Sequence, residues 1–554
     1  MVNFRLWLAI LYGLVAFSLV SSAAGYAHSI VEFEGGEGDA NGFINPEAVL
    51  GKPSALNAGG FAVDPFNPPF GRDQVVTLLD GAFLTIEFDQ PIFNHPSNPH
   101  GLDFQIFGNS GFVITNLWDP DRFDFVGVPA TDGTLFGAAT ATTRVSVSRD
   151  NEIYYLLDPA KAPTVDRWYP TDGGGNFTKP VNPARVAEDF QGQDLVGIRE
   201  QYEESGGGAA YDLSWALDAA GRPVDLDYAR FVRVESASGR VDIDGFSVVR
   251  PPSVVREFHF DRDPVKCGWQ VVGDDSPAIW SAAESQLQMT WDSEKSNRFF
   301  LLPLNTSLNK SDDFQIYFEL TLASMEVESD DSLQYAFEIS LGLVNIENLS
   351  DPDFIRGTGD QSPDLVEFDY FPDTGFGATV SPAISPGSGV LRPSFTVIEM
   401  TVADTYSVAM NYIASQKRLD MVMTRNGRSF GPIAPIRLQD GFTDFRVDAF
   451  ALSSYQDHSS RGSVLAQGSI ERVVLVTPPL PVRDLRGEFS EHGRWRVSFF
   501  SSEGWAYLLQ RSPDMKDWVA VADITQGGGG ELMIEENEAF AGPLAFYRIK
   551  ANRE

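Results

Sequence analysis

The residues best placed to do chemistry in this sequence are carboxylates at alternate positions. In Asp364-Leu-Val-Glu-Phe-Asp-Tyr-Phe-Pro-Asp-Thr-Gly375, Glu367 and Asp369 lie two apart, so both project from one face of an extended strand. Asp373 follows a turn begun by Pro372. Two or three carboxylates and a backbone carbonyl near one point suit a hard cation such as calcium, which takes about six to eight oxygens. Solvent-facing acids on a strand are the alternative. Asp242 and Asp244 repeat the spacing, and with Asp103, Asn109 or Glu32 they form a second candidate calcium cage; turn capping by Asp and Asn competes with it. Trp118, Trp168, Tyr169 and Trp215 stand in or near loop-like stretches. There an aromatic face either stacks on a sugar ring or anchors the loop in a core.

Other chemistries find less support. The single cysteine, Cys267, excludes an intramolecular disulfide and reads as a small packed thiol. Six histidines include no H-x-H or H-x-x-x-H pair, which argues against histidine-based zinc hydrolysis. No G-x-S-x-G elbow, P-loop or H-E-x-x-H occurs. Acidic residues outnumber basic ones 77 to 41, a formal charge of −36. That charge repels nucleic acid and anionic membranes, and leaves cations, neutral glycans and basic partners open.

The elements that must position these groups are strands. Ala82–Phe88, Arg144–Ser148, Arg230–Glu235 and Asp313–Leu322 alternate apolar with polar residues, and Leu419–Thr424 runs into an Asn426-Gly427 hairpin turn. Helical periodicity is weak; Asp212–Ala220 is the segment expected to supply a short helix. Aromatic, Gly and Pro content fits pleated strands joined by turns. The expected fold class is all-β and multidomain: two β-sandwich (jelly-roll) domains plus a small C-terminal β-sandwich. Paired prolines at 251–252 and 478–479 punctuate the chain. The expected units are a signal peptide (1–25) and domains over 26–250, 254–477 and 483–554. The signal rests on Arg5, the apolar run 6–20 and the small residues 21–25; the run is short of the roughly 20 residues a span needs. The mature chain is therefore expected to be secreted or held at the cell surface, with no transmembrane span.

Three resemblances add to this reading. The parts Ile30–Gly38, Asn45–Pro53, Val75–Phe88, Gly101–Asn109, Arg144–Tyr154, Gly206–Ser214 and Phe231–Phe246 resemble, in that order, a family of bacterial cell-surface domains distantly similar to discoidin-type jelly rolls. Surface display and ligand binding are what that implies. The 367–373 motif resembles the metal-binding strand of legume-type (L-type) lectins, whose fold is the concanavalin-like jelly roll. The resemblance implies metal ligation by Glu367 and Asp369 and by the carbonyl of Phe371, with Asp373 where the family carries Asn. A further Asp and a His of the family pattern are missing, so a partial calcium site is implied rather than a paired manganese site. Laminarinase-like glycosidases share the fold and use two carboxylates about 5 Å apart on such a strand; the second glutamate of their pattern is absent here. Finally, Tyr507-x-Leu-x-x-Ser-x-Asp…Trp518 and Phe546-Tyr-Arg548 resemble fibronectin-III-like C-terminal modules of exported proteins from Verrucomicrobia-type bacteria. The leading expectation is an exported, non-catalytic protein that binds a glycan or cell-surface component, with calcium as structural ion. The alternatives are a glycosidase using carboxylates near Glu367 and a purely structural envelope or matrix protein.

Overall fold

The structure is a computed structural model that describes residues 25–35, 40–121, 124–273, 275–292, 298–328, 339–350, 363–372, 377–388, 392–454, 463–540 and 544–553. The chain is an all-β, multidomain protein whose strand ladders run antiparallel. Among the described residues no helix is long and apolar enough to cross a membrane.

The first unit packs a six-stranded sheet, in the order 27–34, 83–93, 228–238, 142–148, 155–157, 216–217, against two smaller ones. Alternation explains its strands. Along Phe83–Phe93, Leu84, Ile86 and Phe88 enter the core, while Thr85 and Glu87 meet Arg233 (2.8 Å) and Arg230 (2.7 Å). The opposing layer holds Phe104–Phe107 between Ala209–Tyr211 and Gly245–Val248, with Val76–Leu78 paired to Val241–Ile243 beside it. A hairpin, Gly111–Ile114 with Thr131–Phe136, carries at its tip the short pair Trp118–Asp119 and Asp124–Phe125. The segment Asp212–Ala220 forms only one 3-10 turn, Leu213–Trp215, because the Asp212 side chain caps Ser214 and the chain then enters a strand. Among the described residues the α-helix is instead Leu195–Tyr202, capped by Asp194, whose side chain accepts the Gly197 N–H.

The second unit is a sandwich of a nine-stranded and an eight-stranded sheet. Its core includes Phe318, Leu320, Phe368, Tyr370, Tyr406, Met421, Phe450 and Leu475. Ser463–Thr477 runs through the nine-stranded sheet, paired with Gln286–Asp292, Phe314–Glu328 and Val254–Phe258. The last unit closes Arg483–Phe489, Trp495–Phe500 and Glu531–Glu535 over a second sheet built on Trp505–Ser512 and Phe546–Arg553, around Val497, Phe499, Tyr507 and Leu509.

The units are docked. Phe93 and Tyr228 of the first pack on Tyr317, Ala409, Val422, Val474 and Val476 of the second, and Arg553 of the last bonds Asp312 and the Ser307 carbonyl (3.1 Å). His95 lies in the first seam, 3 % exposed. Its Nδ1 accepts the Ser97 N–H (3.1 Å), so the proton sits on Nε2, 3.6 Å from Asp313 and in the field of Arg418. Burial holds its pKa below the ordinary 6.5. The unfolded chain therefore takes up this proton first as pH falls, and stability present above about pH 6.5 is lost below it. Thermal midpoints recorded from neutral pH down to about pH 5 are expected to fall more steeply in the wild type than in His95→Gln; equal slopes refute this.

Candidate functional site

Glu367 and Asp369 occupy the strand Leu365–Phe371 of the eight-stranded sheet. Val366, Phe368 and Tyr370 face the core, so the two acids share the sheet's other face, and each is 0 % exposed. The register sets their neighbours. Asp369 lies between Ser340 and Ser381, and Ser340 Oγ donates to its Oδ1 at 2.9 Å. Glu367 lies between Gly342 and Ala383. A Cβ on Gly342 would fall 2.4 Å from Glu367 Cα, so glycine is required beside that carboxylate. Ala451 and Ser453 continue these rows on the next strand. The acids are thus set into a floor of Gly, Ala and Ser, and are not solvent-facing. Phe371 is half-buried, in the ladder with Thr379 and edge-on to Phe395 (6.1 Å). Asp373 lies outside the described residues. Among those described, no three His, Cys, Asp or Glu side chains converge on a metal position.

The acids of the first unit separate by role. Asp242 and Asp244 do not share a cage, because the chain leaves one ladder at Ile243 and enters another at Gly245. Asp244 binds Ser54 through its N–H (3.0 Å) and hydroxyl (2.6 Å). Asp103 accepts from Leu213 N (2.8 Å), His95 N (3.2 Å) and Asn98 Nδ2 (2.9 Å). Burial pushes both carboxyls up to about 7 against these donors. Both tie loops together. Glu32 pairs with Arg233 (2.8 Å) away from them.

Asp242 keeps different company. Its Oδ1 takes Thr77 Oγ1 (2.5 Å) and Arg240 Nε (3.1 Å). Its Oδ2 takes Arg240 Nη2 (3.1 Å) and lies 3.2 Å from the Asn109 amide, which is 3.3 Å from Asp166 Oδ2. With its nitrogen turned toward them, the Asn109 amide donates to both carboxylates. Asp166 Oδ1 is fixed by the Ser110 N–H (2.8 Å), and burial with the nearby Asp242 charge pushes its carboxyl well up. Asp166 carried no sequence signal: it sits at φ 56° in an irregular stretch, against Gly108, where a Cβ would lie 2.1 Å from its carboxyl.

The aromatics also divide. Trp118 is 47 % exposed at the hairpin tip, edge-on to Phe125 (5.1 Å). Trp168 is 40 % exposed. Tyr169 packs on Phe190 and Tyr202, and its hydroxyl donates to the carbonyls of Asn182 or Arg185; it anchors its loop. Trp215 packs against the main core. The hairpin base (Phe112, Ile114, Leu135) and the loops around Tyr169 share one small apolar cluster, so Trp118 and Trp168 rise from a common base.

No protein-family model matches the chain, and no curated protein does. Solved structures similar to part of it include peanut lectin with a nonamer peptide (13 % identity, TM-score 0.28, covering 41 % of this chain and 97 % of that one). Lectin II from Ulex europaeus (10 %, 0.28, 41 % and 99 %) and the Lotus tetragonolobus seed lectin (12 %, 0.26, 41 % and 100 %) are others. No residue role is carried over from them.

Removing Asp103 orphans up to three buried donors. Asp103→Ala is expected to lower unfolding free energy by about 3 kcal/mol, and Asp103→Asn by less, in urea titrations. A chelator that reproduced the loss in the wild type would make Asp103 a cation ligand instead.

Proposed function

We propose that this is an exported, non-catalytic binding protein for neutral glycans, with Trp118 and Trp168 as its contact surface. The observation that carries the reading is Trp118: an indole 47 % exposed on a hairpin tip and braced by Phe125. A stiff aromatic face covers the C–H face of a sugar ring at low entropy cost. The excess of acids supplies acceptors for hydroxyls and repels polyanions. The complete burial of Glu367 and Asp369 supports a non-catalytic role for that pair, since hydrolysis needs carboxylates that reach the substrate. On a neutral-glycan array followed by calorimetry, Trp118→Ala is expected to weaken binding about tenfold while Tyr169→Phe leaves it unchanged. Binding to no neutral glycan, or binding indifferent to loss of both tryptophans, sinks the proposal.

A second element of the reading is a structural calcium ion at Asn109, Asp166 and Asp242, supported by two carboxylates that converge on one amide, Asp166 Oδ2 at 3.3 Å and Asp242 Oδ2 at 3.2 Å. With the Asn109 amide turned over on binding, the chain's own groups would supply three oxygens, and Arg240 would neutralise the remaining charge on Asp242. A cation that binds only the folded state raises its midpoint. The melting temperature is expected to rise from EDTA to millimolar calcium, and the rise to vanish in Asp166→Asn. No rise refutes the calcium site.

A further inference from the structure

Gly25 is the first described residue, and it is already built into the fold. Its carbonyl accepts the Val248 N–H at 2.8 Å, and its own N–H points at Asp89 Oδ1, 3.3 Å away. It sits at φ 92°, where a Cβ would lie 2.8 Å from Val248 Cγ2 and 3.0 Å from Arg250 Nη2. Only glycine fits without displacement. Tyr26 bridges to Ser247 and Ala27 pairs with Phe88, so residues 25–27 join two sheets at once.

The place where this nitrogen ends is short of positive charge. Asp89, Glu257 and Glu319 surround Arg472, whose side chain is 9 % exposed, and Arg250 acts on Asp89 and Glu257 from a buried position. Three carboxylates thus face two guanidiniums. His259 adds a charge only when protonated, and from a half-exposed position beside Glu257.

We propose that the mature chain begins at Gly25 and that its new α-ammonium completes this network against Asp89. The inference rests on the export reading and moves the boundary one residue earlier than the small-residue run alone suggests. Ser22-Ala23-Ala24 places small side chains at the first and third positions before the bond, as leader-cleaving endopeptidases require. In the step, water adds to the Ala24 carbonyl and the Ala24–Gly25 bond breaks. The leader leaves with a carboxylate, and the Gly25 nitrogen takes a proton and becomes an ammonium. An ammonium–carboxylate bond to Asp89, with both partners charged, then replaces an amide–carboxylate one and is stronger and shorter. Cleavage one residue later would remove Gly25 and with it the carbonyl that holds Val248.

The test expresses the full chain in a bacterium with an export pathway and reads the amino terminus of the released protein by mass spectrometry. Gly25 is expected. A released chain that begins elsewhere overturns the inference and leaves export standing; a chain that keeps residues 1–24 overturns the export reading itself. Protein beginning at Gly25 is then melted with its amino group free or acetylated, with Asp89 intact or as Asp89→Asn. Acetylation is expected to lower the midpoint by about 2–4 °C with Asp89 present and to change nothing in Asp89→Asn. Equal midpoints with Asp89 present overturn the pairing.

Discussion

Arg472 is the group on which the arrangement of the first two units depends. It reaches Glu257 (2.7 Å) on a neighbouring strand and Asp89 (2.5 Å) on the first unit, lies 3.8 Å from Glu319, and covers the ring of Tyr317. It can do so because of a β-bulge. Along the ladder with Phe314–Glu328, Glu319 faces Arg472 but Leu320 faces Ile470, so one residue, Glu471, is extra. Ile470 points into the core, and after the bulge Arg472, Val474 and Val476 point out of it, toward the first unit. In an unbroken strand Arg472 would share the face of Ile470 and bury a guanidinium in an apolar core. A buried ion pair adds little by itself, but removing one member of such a network leaves charges stranded at several kcal/mol. The network therefore fixes orientation, while Phe93, Tyr228 and their apolar partners supply the burial energy.

This docking decides which surfaces remain for binding. The outer face of the nine-stranded sheet is covered by the first unit, and Arg553 draws the C-terminal module onto Asp312. The aromatic side chains at the hairpin tip and at Trp168 belong to neither contact. They rest on a small cluster of their own, in which Phe112, Phe190, Ile198 and Tyr202 are buried. A loop with its own core holds an aromatic face at little further entropy cost, which is what a recognition surface needs.

Much of the fold was legible because alternation is a local signal. The run from Asp313 marks the strand Phe314–Glu328, and Asn426 and Gly427, at φ 51° and 77°, make the tight turn their sequence implies. The helix Leu195–Tyr202 was not legible: it buries only Gly197, Ile198 and Tyr202, too few for a periodic stripe. The site was legible in part. Alternation put Glu367 and Asp369 on one face, as they are. The same rule joined Asp242 to Asp244, but the chain changes sheets between them, and alternation holds only within a strand. Asp166 could not be found at all, since its partners Ser110 and Asp242 come from 56 and 76 residues away. A contact at such separation leaves no local pattern.

The strand Leu365–Phe371 shows how a sheet can hold two carboxylates without displaying them. Its odd and even positions are both buried, so alternation there separates the main apolar core from a second face, where the acids lie beside a smaller apolar cluster that includes Leu365 and Ala451, rather than from water. The room comes from the flanking strands, which set Ser340, Gly342, Ser381 and Ala383 against the two acids. A larger side chain at Gly342 would strike the Glu367 backbone, so this space is fixed by covalent geometry and not by side-chain adjustment. Acids left over from a solvated surface would need no such matching. The pairing of small residues with buried acids marks a polar centre built into the second unit. Within it, Ser340 Oγ donates to Asp369 at 2.9 Å, so a hydroxyl from the neighbouring strand meets one of the acids across the ladder.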